Sequence, residues 1–445
     1  MKLFACLLAP RDQSIPDSAR SAIEKFPRAH AIPFYWTECE QAAVLIGGHA
    51  PNDGPPVARY AGRLAVGSVR LDNRIDCERW AACDSSSLTD IELVLRVVVQ
   101  HGPDYISRFV GDFAFIVWHP STAVALAACD AFAVKKLYYA QRDGLLCFSS
   151  RSAALAYDND YDTQYFAEQV AVCVPTPGLT PYRGVSAVPP ASIVDVRNGR
   201  THTSSYWSPF DFAFGPPSTR SQSEAVAICR DLLRDAVQSR LTGSPDVWAH
   251  LSGGLDSSSV VSLAQWLATT GATPQGLAGT ITYVDSHGTG ADEREYSEAV
   301  VARWNVRNET IVDPPVWYDE RFPLPDTDAP RVGLIFYPRE CLLCATIRGA
   351  GGHVVLTGAG GDTLFAGSMF FFADWLSRGR IRPTMREMLH RAAIGRVSFW
   401  ELAYRNVILP LLPPSVQRRL VVDPGQMPPW LLQTAISRYG LSERS

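Results

Sequence analysis

One octapeptide constrains the fold more than any other feature of the chain. Leu251-Ser252-Gly253-Gly254-Leu255-Asp256-Ser257-Ser258 joins an apolar run over 247–251, which reads as a buried strand, to a helical pattern over 257–270. Two glycines let the backbone turn sharply and approach a ligand closely. The helix that follows presents unpaired N–H groups and the positive end of its dipole, which together favour an anion. Ser252, Ser257 and Ser258 add hydroxyl donors. Asp256 is unfavourable beside a bare phosphate but suits one bridged by Mg²⁺.

The same texture continues downstream. Strand patterns at 279–284, 310–312 and 353–356 alternate with helical patterns at 293–305 and 338–349. Alternation at this spacing implies a parallel α/β sheet. A second glycine-rich turn, Leu356-Thr357-Gly358-Ala359-Gly360-Gly361-Asp362-Thr363, follows the last of these strands. Asp362 is either the N-cap of a helix or a second carboxylate for a metal at the first loop.

Lysine is nearly absent. Of 41 basic residues only Lys2, Lys25, Lys135 and Lys136 are lysines, and no Gly-Lys-Ser/Thr tripeptide occurs. A Walker-type phosphate loop is thereby excluded, and phosphates bound after residue 136 must be held without lysine. With 45 acidic residues the net charge is −4, which argues against a nucleic-acid partner. At 47% hydrophobic and 19% charged the chain can build full globular cores. No apolar run reaches the ~18 residues needed to span a bilayer. Residues 3–9 read as a first strand rather than a signal segment, and ten scattered cysteines fit a reducing cytoplasm.

Residues 1–207 read mostly as strands, with one amphipathic helix over 88–101 and Thr89 and Asp90 as its capping candidates. The Pro-rich stretch 208–222 reads as a linker. A helix over 223–241, with Ala225, Ile228, Leu232 and Val237 on one face, opens a second domain, 223–445, that ends in an Arg-rich helical tail. Cys341 and Cys344 read as core packing, and no histidine spacing suggests zinc.

The octapeptide resembles the pyrophosphate loop of N-type ATP pyrophosphatases, specifically of the asparagine synthetase family. Asp362 matches the metal-binding aspartate of that family's Ser-Gly-Glu-Gly-Ala-Asp-Glu-Leu-Phe run. In the N-terminal half, Gly111-Asp112-Phe113-Ala114-Phe115 and the run from Asp130 to Tyr139 resemble the family's Gly-Asp-Phe-Ala-Phe and Asp-Arg-Phe-Gly-Val-Lys-Pro-Leu-Tyr-Tyr. Asp292-Glu293-Arg294 resembles its Asp-Glu helix start. The resemblance implies an α+β glutaminase-like (Ntn-type) sandwich, then an α/β parallel-sheet ATP-pyrophosphatase domain with a helical C-terminal tail. It also implies ATP and Mg²⁺ as cofactors, with Leu251, Ser252, Gly253, Gly254, Asp256, Ser257, Ser258 and Gly358 at the nucleotide and Asp256 and Asp362 at the metal. Tyr283 and Tyr337 are candidates for the acyl-acceptor pocket, although aromatic core residues read the same way.

Three departures narrow the reading. Glutamine-hydrolysing members carry a nucleophilic cysteine at position 2, where this chain has Lys2, and Cys6 reads as a core residue. Ala359 and Thr363 replace the family's glutamates, and Gly360-Gly361-Asp362 is more like the lasso-peptide cyclases. The family's C-terminal catalytic lysine has no counterpart: either an arginine substitutes, or the chain ends before that segment. The expectation is a macrolactam synthetase that adenylates a side-chain carboxylate of a ribosomal core peptide for attack by the N-terminal amine. A leader-peptide protease and a recognition element are its expected partners. The alternatives are an amidotransferase or β-lactam-synthetase-like ligase acting on a small molecule, and a degenerate scaffold.

Overall fold

The computed structural model describes residues 3–10, 13–39, 41–48, 56–82, 88–156, 160–197, 199–213, 220–242, 246–286, 293–315, 317, 319–323, 336–365, 370–420 and 431–441. Asp292, residues 214–219 of the expected linker and the prolines at 428 and 429 lie outside the described residues. The chain divides into two compact units. The first holds the described residues up to 227 together with 431–441; the second holds those of 228–323 and 336–420. Residues 431–441, counted by sequence with the second domain, thus pack with the first unit. Thr163 Oγ1 meets the Tyr439 hydroxyl at 2.7 Å, and the Cys173 thiol donates to the Leu441 carbonyl at 3.4 Å.

In the first unit two six-stranded antiparallel sheets lie face to face. One has Leu3–Leu8 between Ala42–Gly47 and Leu145–Ser149; the other has Gly111–His119 between Arg63–Leu71 and Val124–Cys129. Alternation decides what faces what. Phe4, Cys6 and Leu8 meet Val66, Ile116 and Trp118 in the core between the sheets. Leu3, Ala5 and Leu7 point outward onto Ile23 and Phe26 of the helix Asp17–Ala29. Phe113, Phe115 and Val117 likewise cover Ile91, Val94 and Leu95 of the helix Asp90–His101. The layers are helix, sheet, sheet, helix, which is why Leu3–Leu8 is apolar at every position and fully buried. Thr89 and Glu92 close a capping box at the second helix, with the Thr89 N–H donating to Glu92 Oε2 at 2.7 Å.

The second unit is built on four parallel strands: β1 (Val247–His250), β2 (Gly279–Val284), β3 (Asn308–Val312) and β4 (Val354–Leu356), in spatial order β3-β2-β1-β4. Helices α1 (Leu255–Thr269), α2 (Arg294–Trp304) and α3 (Tyr337–Gly349) connect and flank them. Val261, Ala264 and Leu267 of α1 pack on Val247, Ala249 and Leu251, while Leu343 and Ile347 of α3 pack around Trp248 and Ile281.

The helix expected over 223–241 spans Gln222–Leu241, but its burial differs from the expected stripe: Val237 and Leu241 are buried, whereas Ile228 and Leu232 are exposed. Beyond β4, Phe372, Met388, Leu402 and Val407 gather the helical tail around a small core of its own. Among the described residues no helix is long and apolar enough to cross a membrane.

Candidate functional site

β1 has its sequence successor β2 on one side and the last strand, β4, on the other. Loops leaving the carboxyl ends of such neighbouring strands part company there and open a crevice. The loop after β1 supplies Ser252, Gly254, Asp256 and Ser257 to a cavity of about 820 Å³; the loop after β4 supplies Thr357, Gly358, Ala359, Gly360, Gly361 and Asp362. β2 and α3 contribute Tyr283, Arg339, Glu340 and Leu343 to the same space, and Glu293 lies just before α2.

Side-chain and backbone hydrogen bonds hold the first loop. The Ser252 N–H donates to Ser257 Oγ at 3.1 Å, the two hydroxyl oxygens are 3.0 Å apart, and the Gly254 N–H donates to Ser252 Oγ at 3.3 Å. Gly253 has φ +95°, and a Cβ there would lie 2.8 Å from Glu293 Cβ. Both the left-handed backbone and the close approach require glycine.

The second loop is laid directly on the first. A Cβ on Gly358 would lie 2.6 Å from the Ser257 nitrogen and 2.9 Å from Asp256 Cβ, and a Cβ on Gly361 would overlap the Asp256 carboxylate. The Gly361 N–H donates to the Gly358 carbonyl at 3.1 Å, closing the turn that starts the helix Gly361–Phe365 and carries Asp362. The two glycines serve different ends: Gly360 has a left-handed φ of +93° with open space around it, whereas a side chain at residue 361 would displace the Asp256 carboxylate.

Not every residue expected at the ligand lines it. The Leu251 side chain is fully buried and its N–H is committed to the Ile281 carbonyl at 2.8 Å, which removes it as a ligand donor. Ser258 Oγ is buried without a partner among the described residues, one helical step behind the cavity wall. Gly253 shapes the loop without lining the cavity. Tyr337 is half-buried at the start of α3, where a hydrogen bond with Cys341 raises its hydroxyl pKa, and it is not part of the wall. Cys344, expected in the core, is exposed, because α3 turns Leu343 and Ile347 inward instead.

Sequence reasoning passed over His250 and Arg339. The His250 ring lies 4.9 Å from that of Tyr283, and the Arg339 guanidinium lies over the other rings of the group, 5.0 Å from Tyr283 and 4.9 Å from Phe336. Burial, and then the Arg339 charge, lower the His250 pKa. Burial pushes the Tyr283 hydroxyl up to about 12. Both groups are therefore neutral near pH 7. No local motif marks these residues, since strand order brings them together.

The carboxylates fit Mg²⁺. Among the described residues no cluster of three or more His, Cys, Asp or Glu could hold a metal ion. Mg²⁺ asks for less, being bound through one or two carboxylates plus substrate phosphates and water. Asp256 and Asp362 answer that description, with the α1 N-terminus beside them for the phosphates.

Residues 229–423 match the model for asparagine synthase, and residues 78–207 match that for a glutamine amidotransferase domain. Residues 229–423 are thus similar to the asparagine synthase family. The residues matched to the amidotransferase domain lie within the αββα sandwich of the first unit. Asparagine synthase family members are ATP-dependent ligases that form amide C–N bonds and release AMP and pyrophosphate. The chain is 28% identical over 320 residues to the amidase chyE of Penicillium rubens, covering 65% of this chain and 44% of that protein. It is 28% identical over 322 residues to the amidase chry2 of Gibberella zeae, with the same coverage. To glutamine-hydrolysing asparagine synthetase 1 of Bacillus subtilis it is 27% identical over 299 residues, or 63% of this chain and 43% of that one. The chain spans less than half the length of these relatives.

The cysteine nucleophile of a glutamine-hydrolysing domain has no substitute at Cys6. That residue is 1% exposed in the core between the sheets, and burial pushes its thiol pKa far above the ordinary value.

Proposed function

We propose that this chain is an ATP- and Mg²⁺-dependent carbon–nitrogen ligase. It adenylates a side-chain carboxylate of a ribosomal core peptide, and the peptide's N-terminal amine then closes a macrolactam ring. The observation that carries the reading is the contact of the second glycine loop with Asp256, which gives Asp256 and Asp362 one cavity. A Mg²⁺ held by these two carboxylates would offset the charge of the triphosphate.

The rest falls to the chain's own groups. The N–H groups opening α1, with the hydroxyls of Ser252 and Ser257, face the leaving pyrophosphate. The absence of side chains at Gly358 and Gly361 keeps the phosphate wall close to Asp256. A peptide acyl substrate is favoured over aspartate with ammonia by Ala359 and Thr363, where amide-forming relatives of the ammonia-using kind carry glutamates. Cys6, buried in the core, is not placed to hydrolyse glutamine. A precursor peptide, a leader-peptide protease and a recognition element are the partners this reading requires, and the cytoplasm is a fitting compartment for ATP and a reduced Cys6.

A second reading, amide formation on a small molecule, draws on the amidase and asparagine synthetase names of the relatives. Pyrophosphate release separates the two. Release with a core peptide, but not with aspartate and ammonia, selects the cyclase; the reverse selects the small-molecule ligase. Silence with every acceptor from the full-length protein rejects both.

A further inference from the structure

Among the described residues four carboxylates line the cavity of the second unit: Asp256, Glu293, Glu340 and Asp362. Among the described lining side chains Arg339 alone carries a permanent positive charge. It leaves the first turn of α3, forms no ion pair among the described residues even with its neighbour Glu340, and its Nε is buried without a partner. Stacking on Tyr283 and Phe336 restricts its rotamers, so the guanidinium is held ready rather than free to search.

Its position is as informative as its charge. Asp256 and Asp362 follow β1 and β4, whereas Tyr283, on which Arg339 rests, belongs to β2 on the opposite flank of β1. The phosphate-facing loops therefore lie on one side of the cavity and its fixed cation on the other.

Adenylation brings a carboxylate against a polyphosphate, and two anions repel strongly where water is excluded. We propose that Arg339 is the oxyanion receptor for the acyl substrate, holding its carboxylate on the β2 side of the cavity. The inference rests on the ligase reading above. One carboxylate oxygen attacks the α-phosphorus, forming a C–O–P link as the bond from the α-phosphorus to the bridging oxygen breaks, and that electron pair leaves with pyrophosphate. The other oxygen stays on Arg339 as the carbonyl of the adenylate. When the amine attacks this carbonyl, the same oxygen takes the negative charge beside the guanidinium. The charge returns as the C–O(P) bond breaks and AMP departs, and the amine proton passes to solvent.

Two non-reactive probes test this on the full-length chain: adenosine 5′-sulfamate and its N-acetyl derivative, which differ by the acyl group. The wild type is expected to prefer the acetylated compound by about 10- to 100-fold, the scale of a hydrogen bond to a charged group. Arg339→Gln should erase that preference while leaving adenosine 5′-sulfamate affinity nearly unchanged, which also verifies folding; Arg339→Lys should keep part of it. Absence of an acyl preference in the wild type, an undiminished preference in Arg339→Gln, or equal weakening of both probes overturns the proposal. Failure of the wild type to bind either probe overturns the nucleotide-site reading beneath it.

Discussion

At the scale of single residues the site is governed by what is missing from its backbone. Gly361 sits where any Cβ would overlap the Asp256 carboxylate. Gly361→Ala is expected to cut pyrophosphate release about 100-fold, the cost of misplacing a reacting group by roughly an ångström. Its circular dichroism should match that of the wild type, and unchanged turnover would show that the two loops need not touch. Asp256→Ala and Asp362→Ala are each expected to abolish release; activity retained in either removes that carboxylate from the metal site. His250 yields a pH prediction. Its folded pKa lies below the unfolded value of about 6.5. The unfolded chain therefore binds the extra proton first, and the stability contributed above pH 6.5 is lost as pH falls toward the folded pKa. The thermal midpoint should drop between pH 7 and pH 5, and His250→Gln should flatten that drop. Equal slopes in the two proteins would mean that other groups carry it.

Secondary-structure elements were legible where their signal was local. The capping pair at residues 89–92 and the apolar spacing of Ile91, Val94, Leu95 and Val98 identified the helix Asp90–His101 to within two residues. Thr89→Ala is expected to lower the stability of the first unit by about 1 kcal/mol in urea unfolding, since it removes the hydroxyl's part of the capping box and leaves only the backbone N–H bond to Glu92. The helix Gln222–Leu241 was equally clear as a helix, yet its buried face was not: Ile228 and Leu232 have helical spacing but are exposed. Periodicity reports which residues share a face, and only the neighbouring elements decide whether that face is covered. Cys341 and Cys344 make the same point on α3, whose inward residues are Leu343 and Ile347.

At the scale of the whole molecule, the first unit layers two sheets between helices around a core that encloses Cys6. In the native protein, alkylation should reach Cys229 and Cys344, both exposed, well before Cys6, and glutamine should yield no glutamate. Rapid labelling of Cys6 or glutamate release would contradict the inert-core assignment. The sequence by itself determined the strand–loop–helix around Asp256, the parallel α/β class of the second unit and the exclusion of a lysine-based phosphate loop. Each of these depends on contiguous residues, whose chemistry is readable in order along the chain. The tertiary structure decided what sequence order cannot carry. The β3-β2-β1-β4 strand order sets Asp362 beside Asp256 and stacks His250, Tyr283 and Arg339 on the opposite flank. It also withdraws Leu251 and Tyr337 from the cavity wall. Contacts between residues from 33 positions apart, as in His250 and Tyr283, to 105, as in Asp256 and Gly361, are made by the packing of strands and helices, and no local pattern encodes them.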